Sequence, residues 1–108
     1  MIKVLYSIDD DHTYTYLSVK GHAEYADSGK DLICASVSSI IFGFMNALDE
    51  FEDVKIKELT NEIVITSSSK KQVVNNYFNL VLIQLKTIEE SYGEYLRVER
   101  KKNIWNMY

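Results

Sequence analysis

The sequence predicts an α+β fold in which two helices pack on a mostly antiparallel sheet of about five strands. Two observations predict it. Short segments with apolar residues at every second position alternate with two longer segments whose apolar residues recur at helical spacing. The order is strand, strand, helix, strand, strand, helix, strand, and paired strands separated by helices favour this class. With 108 residues, we expect residues 1–108 to form a single domain.

The first two strands form a predicted antiparallel hairpin. Apolar and polar residues alternate from Ile2 to Ile8, and the turn-forming run Asp9–His12 interrupts the pattern. β-Branched and aromatic residues then resume from Thr13 to Lys20. The next segment, Gly21 to Lys30, has no period and holds two of the four glycines, so we predict a loop there.

The first helix is predicted from Leu32 to Glu50. Asp31 is its predicted N-cap, because an aspartate carboxylate accepts the unpaired amide hydrogens of a first helical turn. The helix has almost no polar face, so we expect the second helix or a partner subunit to cover it. Its apolar positions are Ile33, Val37, Ile40, Ile41, Phe44 and Leu48.

The second hairpin is predicted from Val54–Leu59 and Glu62–Ser67, and the last strand from Tyr95 to Arg100. Between them lies the second helix, which a capping box at Ser69–Gln72 opens. Gly93 is placed to end it, since glycine accepts the left-handed conformation beyond a helix. The apolar stripe of this helix is Val74, Tyr77, Phe78, Val81, Leu85 and Ile88.

Composition excludes several classes of protein. A hydrophobic fraction of 46% and a charged fraction of 26% exclude a disordered or fibrous chain. The net charge of −4 at pH 7 argues against direct nucleic-acid binding through phosphate contacts and suits cationic partners. One cysteine excludes an internal disulfide and a multi-thiolate zinc site. No cofactor or metal is expected, and tandem aspartates with His12 on a hairpin turn do not make a convincing metal site.

Neither a leader nor a membrane span is expected. The residues before Asp9 are too few for a signal peptide. The longest uncharged run, Leu32 to Leu48, is short for a span and contains three serines and Asn46. We therefore expect a buried helix in a cytoplasmic protein.

Cys34 and His22 are the candidate reactive residues. With Asp31 as the cap, Cys34 falls in the first turn of the helix, where the positive end of the helix favours a thiolate. His22 lies where the second strand passes into the loop, and an imidazole in reach of the thiol could serve as its base. The amides of Ile33 and Cys34 could hold a developing oxyanion.

The residue pattern alone leaves plainer roles open. Cys34 is also consistent with a small buried apolar residue, and His22 with a histidine bonded to a carbonyl. The spacing between them allows contact without requiring it.

The segment around these two residues contains a set of motifs: Gly21-His22-Ala23, Gly29, Asp31, Cys34-Ala35 and Ser38. These motifs resemble the signature of the bacterial ribosomal-processing cysteine protease family. Length, element order and the late Thr87–Tyr92 segment fit that family across the whole chain. The resemblance implies His22 as general base and Cys34 as nucleophile. Asp31, Ile33 and Ser38 are candidate supporting residues, and Gly21 and Gly29 are candidate hinges of a loop closing over a bound peptide.

The same resemblance implies a homodimer that removes a short N-terminal extension from a large-subunit ribosomal protein precursor, the twenty-seventh of its series. Two rival functions stay open: a non-catalytic ribosome-associated peptide-binding module, and a redox sensor, which the absence of a resolving cysteine weakens. Asp31 has two competing roles, because one carboxylate cannot both cap the helix and orient His22.

Overall fold

The computed structural model describes residues 1–21 and 28–101, with the backbone alone for residues 28–31. The predicted order of elements is confirmed. The elements are β1 (Ile2–Ile8), β2 (Tyr14–Lys20), α1 (Ser28–Leu48), β3 (Val54–Glu58), β4 (Glu62–Ser67), α2 (Gln72–Tyr92) and β5 (Leu96–Arg100).

The five strands form one mixed, mostly antiparallel sheet in the order β3-β4-β2-β1-β5. Both predicted hairpins are present, with Val4 opposite Val19 in the first and Ile56 opposite Ile65 in the second. β5 pairs with β1 in parallel, since the α2 crossover returns the chain to the far edge of the sheet. β2 is the central strand, so the segment that follows it starts from the middle of the sheet.

The core lies between one face of the sheet and the two helices. Apolar residues of β1 and β2 alternate as predicted, and Val4 and Leu17 are fully buried. The helices meet at Phe44 of α1 and Phe78 of α2. Their rings pack edge to face, with 4.9 Å between the ring centroids. α2 therefore supplies part of the cover that α1 requires. The buried positions of α1 follow helical spacing: Ile33, Val37, Ile41, Phe44 and Leu48.

The predicted start of the first helix is wrong. α1 begins at Ser28, which makes Asp31 its fourth residue and removes it from the N-cap position. Several residues of the type that begins helices, among them Ser28 and Asp27, precede Asp31 in the sequence, and residue type alone does not choose among them.

The predicted capping box of the second helix is also wrong, whereas Gly93 ends this helix as predicted, although without the expected left-handed conformation. The N-cap of α2 is Lys71, which makes no side-chain cap bond. The Ser69 hydroxyl instead accepts the Lys71 N–H at 3.2 Å, closing a turn before the helix. Gly93 ends α2 with φ −60°, in the right-handed region, because the chain continues into a turn in which the Tyr95 N–H bonds the Tyr92 carbonyl.

Within residues 1–21 and 28–101, no helix combines the length and the apolar character that crossing a membrane requires.

Candidate active site

One face of α1 carries the candidate nucleophile. Cys34, Ser38, Ile41 and Phe42 lie at helical spacings of four, seven and eight residues, which puts them on one side of the helix. Cys34 is half-buried and packs against the edge of the core. Ser38 is exposed and Ile41 is buried, so this face runs from the thiol along the rim of the core.

The chain leaves the central strand through Gly21, the residue before His22. Gly21 has φ +84°, a conformation in which side chains are strained. A Cβ at this position would lie 2.6 Å from the Met1 carbonyl oxygen, so there is also no space for a side chain. The Gly21 N–H donates to the Asn61 carbonyl at 3.1 Å. The backbone is therefore held from two sides where it enters the His22 segment.

A pocket of about 260 Å³ joins these two features. Gly21 lines it from the end of β2, and Ser38 lines it from α1, one turn beyond Cys34. The turn between β3 and β4 forms its outer wall, with Leu59 half exposed. The pocket has the mainly apolar walls typical of a ligand-binding groove, and its lining begins on α1 one turn from Cys34, at Ser38.

Several sequence-predicted site residues lie partly or wholly beyond what the structure describes. His22 lies outside the described residues, as does the side chain of Asp31. Gly29 is the second residue of α1, so its prediction as a loop hinge is wrong. Gly21 lies where the predicted loop begins, and its conformation requires glycine.

The earlier start of α1 also overturns the predicted oxyanion donors. Ile33 and Cys34 are the sixth and seventh residues of the helix counted from Ser28. Only the first four amides of a helix lack a partner within it, and the effect of the helix dipole fades within the first turn. Neither amide therefore lies in the first turn of the helix, where the prediction placed it. The Ile33 side chain is buried in the core at 2% exposure.

The β3–β4 hairpin contributes site residues that the sequence did not indicate. Glu58, Leu59 and Ile63 line the pocket, although they lie more than 20 positions from Cys34 in the chain. The local pattern predicts only a hairpin there. Which hairpin residues meet α1 depends on the order and register of the strands, and no short-range signal carries that information.

Comparison with known proteins gives consistent matches over most of the chain. A family model described as "Cysteine protease Prp" matches residues 1–97. The ribosomal processing cysteine protease Prp of Mycoplasma genitalium is 35% identical over 91 residues, covering 80% of this chain and 88% of that protein.

Two crystal structures of a protein from Staphylococcus aureus resemble this fold, both 28% identical and both covering 94% of this chain and 100% of that chain. One is the essential ribosomal processing protease Prp in complex with a substrate peptide, with a TM-score of 0.84. The other holds a covalently linked product peptide, with a TM-score of 0.81.

Proposed function

The chain belongs to the Prp family of cysteine proteases, and from this premise we propose that Cys34 and His22 form its catalytic dyad. One observation carries the proposal. The same pocket is lined by Gly21, directly before His22, and by Ser38, one turn after Cys34. A cysteine with a histidine in reach has the arrangement of an activated nucleophile and its base.

In the proposed reaction, His22 takes the thiol proton and the Cys34 sulfur attacks the scissile carbonyl carbon. A thioester forms as the peptide C–N bond breaks, and His22 gives its proton to the departing amine. Water then attacks the thioester, which releases the carboxylic acid and returns a proton to the sulfur. The covalently linked product peptide of the S. aureus relative supports a covalent intermediate here.

The proposed substrate is the N-terminal extension of a large-subunit ribosomal protein precursor, the twenty-seventh of its series. The relatives are ribosomal processing proteases, and a mainly apolar pocket is lined by Ser38, one helical turn from Cys34. The net charge of −4 favours encounter with basic ribosomal proteins. We expect this work to take place in the cytoplasm, where ribosomes mature.

We also propose that the protein acts as a homodimer. Large apolar side chains on the outward sides of both helices support a partner that covers them, and sedimentation velocity tests this. Among those outside the pocket are Leu32 at 60%, Leu80 at 55% and Ile83 at 54% exposure.

The decisive experiment incubates the protein with this organism's own precursor and measures the product masses. Cys34→Ala should abolish cleavage while the variant still binds the precursor. His22→Asn should lose nearly as much activity, because nucleophile and base act as a unit. The matched control is His12→Asn. This residue lies in the β1–β2 turn at φ 60°, a conformation that asparagine tolerates, so its activity should be unchanged.

Cleavage by Cys34→Ala would contradict the assignment of the nucleophile. Equal activity of His22→Asn and His12→Asn would contradict the assignment of the base. Tight binding of the precursor by the wild type without cleavage would instead favour a non-catalytic peptide-binding module.

A further inference from the structure

A carboxylate stands at the edge of the apolar pocket. Glu58 is the last residue of β3, an edge strand of the sheet. It pairs with Ile63, which pairs in turn with Val19. Directly paired residues project from the same face of a sheet, and Val19 packs against the core beneath the helices. The Glu58 side chain therefore lies on the helix side of the sheet, at the end of an apolar row.

The pocket around this carboxylate is mainly apolar, and its polar lining includes Thr60, Asn61 and a second carboxylate, Glu62, from the same hairpin. Ile41 is buried at the base of the pocket, while Phe42 and Leu59 are 50% and 49% exposed at its rim. Apolar walls that end in a carboxylate match a long side chain with an aliphatic stem and a positive end. Lysine and arginine are the two side chains of that kind.

This inference rests on the proposed protease function. We infer that Glu58 is a specificity-determining residue, which pairs with a lysine or arginine of the substrate while the stem of that side chain lies on the apolar walls of the pocket.

Helix geometry sets the position of that basic residue in the substrate. Ser38 lies one turn from Cys34, about 6 Å along α1, and Phe42 lies about 12 Å along it. An extended peptide advances about 3.3 Å per residue. The basic residue that reaches Glu58 is therefore about two to four positions from the scissile bond, on one side of it only.

The test uses peptides that span the cleavage junction of this organism's precursor. Each peptide carries lysine, or its uncharged counterpart norleucine, at one of the four positions on either side of the scissile bond. We expect kcat/KM to favour lysine about threefold to fivefold at one of the positions two to four residues away, the size of a partly exposed ion pair. Added salt should reduce the preference.

The variants are Glu58→Gln, Glu58→Lys and the matched control Glu99→Gln. Glu58→Gln should lose the preference, and Glu58→Lys should favour a glutamate peptide at the same position. Glu99 is exposed on β5, at the opposite edge of the sheet, so its substitution makes the same change in net charge away from the pocket and should keep the preference. A preference that survives in Glu58→Gln, or falls equally in Glu99→Gln, would overturn the inference.

A binding measurement tests this inference independently of the proposed reaction. Fluorescence anisotropy measures the affinity of the same peptides for Cys34→Ala and for Cys34→Ala combined with Glu58→Gln. A lysine preference that disappears with Glu58→Gln supports the inference even if the wild type cleaves nothing. Cleavage of the lysine and norleucine peptides at equal rates at every position would overturn it and leave the protease assignment intact.

Discussion

Gly21 faces the Met1 carbonyl so closely that a Cβ would lie 2.6 Å from its oxygen. The oxygen belongs to the backbone, so no side-chain rotation relieves the contact. β1, which begins at Ile2, is hydrogen-bonded to β2 along its length. Movement at Gly21 therefore requires movement of a strand or of the adjoining residue, His22.

Gly21→Ala should reduce activity more than it reduces stability. The left-handed conformation costs about 1–2 kcal/mol for a residue with a side chain. The clash shifts the backbone before His22, and a misplacement of about 1 Å can lower a rate by about 100-fold. We expect kcat/KM to fall by about that factor while the protein still unfolds cooperatively.

The control for this prediction is Gly43→Ala. A Cβ at Gly43 has no neighbour within 4 Å, and alanine suits a helix better than glycine by about 1 kcal/mol. Gly43→Ala should therefore raise the free energy of unfolding and leave kcat/KM unchanged. Full activity in Gly21→Ala would show that the position of His22 does not depend on this glycine.

Asp31→Asn should lower turnover without unfolding the protein. Asp31 precedes Cys34 by three residues within α1, so the two lie on the same side of the helix. Since Asp31 does not cap the helix, we expect its carboxylate to act as a positioning residue for His22. Asparagine should reduce kcat by at least about tenfold, change KM little and shift the pH dependence of kcat. An unchanged pH profile, measured beside Asp10→Asn as control, would contradict this role.

Asn75→Ala should destabilise the fold. The Asn75 Oδ1 accepts the Tyr14 N–H at 2.8 Å, and its Nδ2 donates to the His12 carbonyl at 3.1 Å. The half-buried Asn75 side chain thus connects α2 by hydrogen bonds to the β1–β2 turn and to the start of β2. Losing both bonds should cost about 1–3 kcal/mol of unfolding free energy, measured by urea denaturation. Asn76→Ala, on the exposed side of α2, should cost less. Equal losses in the two variants would show that these two hydrogen bonds contribute nothing to the free energy of unfolding.

Low pH should destabilise the protein, in part because the Asp53 carboxylate becomes protonated. The Lys71 Nζ lies 3.1 Å from the Asp53 Oδ2, and this hydrogen bond holds the pKa of the carboxyl below its ordinary value of 3.8. A pKa that is lower in the folded state contributes stability that is complete above about pH 4 and is lost as the pH falls through the folded-state value.

Asp53→Asn should therefore flatten the dependence of Tm on pH below about pH 4. Thermal melts at a series of pH values measure this, with Asp49→Asn, exposed just beyond the end of α1, as the control. If the Tm of Asp53→Asn falls with pH as steeply as that of the wild type, the ion pair with Lys71 is not the cause of the acid destabilisation.

The sequence predicted both hairpins and both helical stripes because alternation and helical spacing are local properties. Helix starts depend on single hydrogen bonds, such as the one from the Lys71 N–H to the Ser69 hydroxyl, and the predicted starts at Asp31 and Ser69 were wrong for that reason, whereas the predicted end at Gly93 was confirmed. The pocket could not be predicted from patterns of neighbouring residues in the sequence. Glu58 lines the same pocket as α1 only because β4 lies between β3 and β2, and nothing in the neighbouring residues specifies that order.

Because β1 pairs with β5, the sheet can be completed during synthesis only after β5 has been made. Ile2 pairs with Leu96, and Val4 pairs with Val98, so the first strand has an open edge until β5, more than 90 residues later, has left the ribosome. Closing so long a loop is entropically costly and slows folding. Fragments ending before β5 should therefore expose that edge to other chains, and translation pauses late in the message should favour aggregation of the nascent protein.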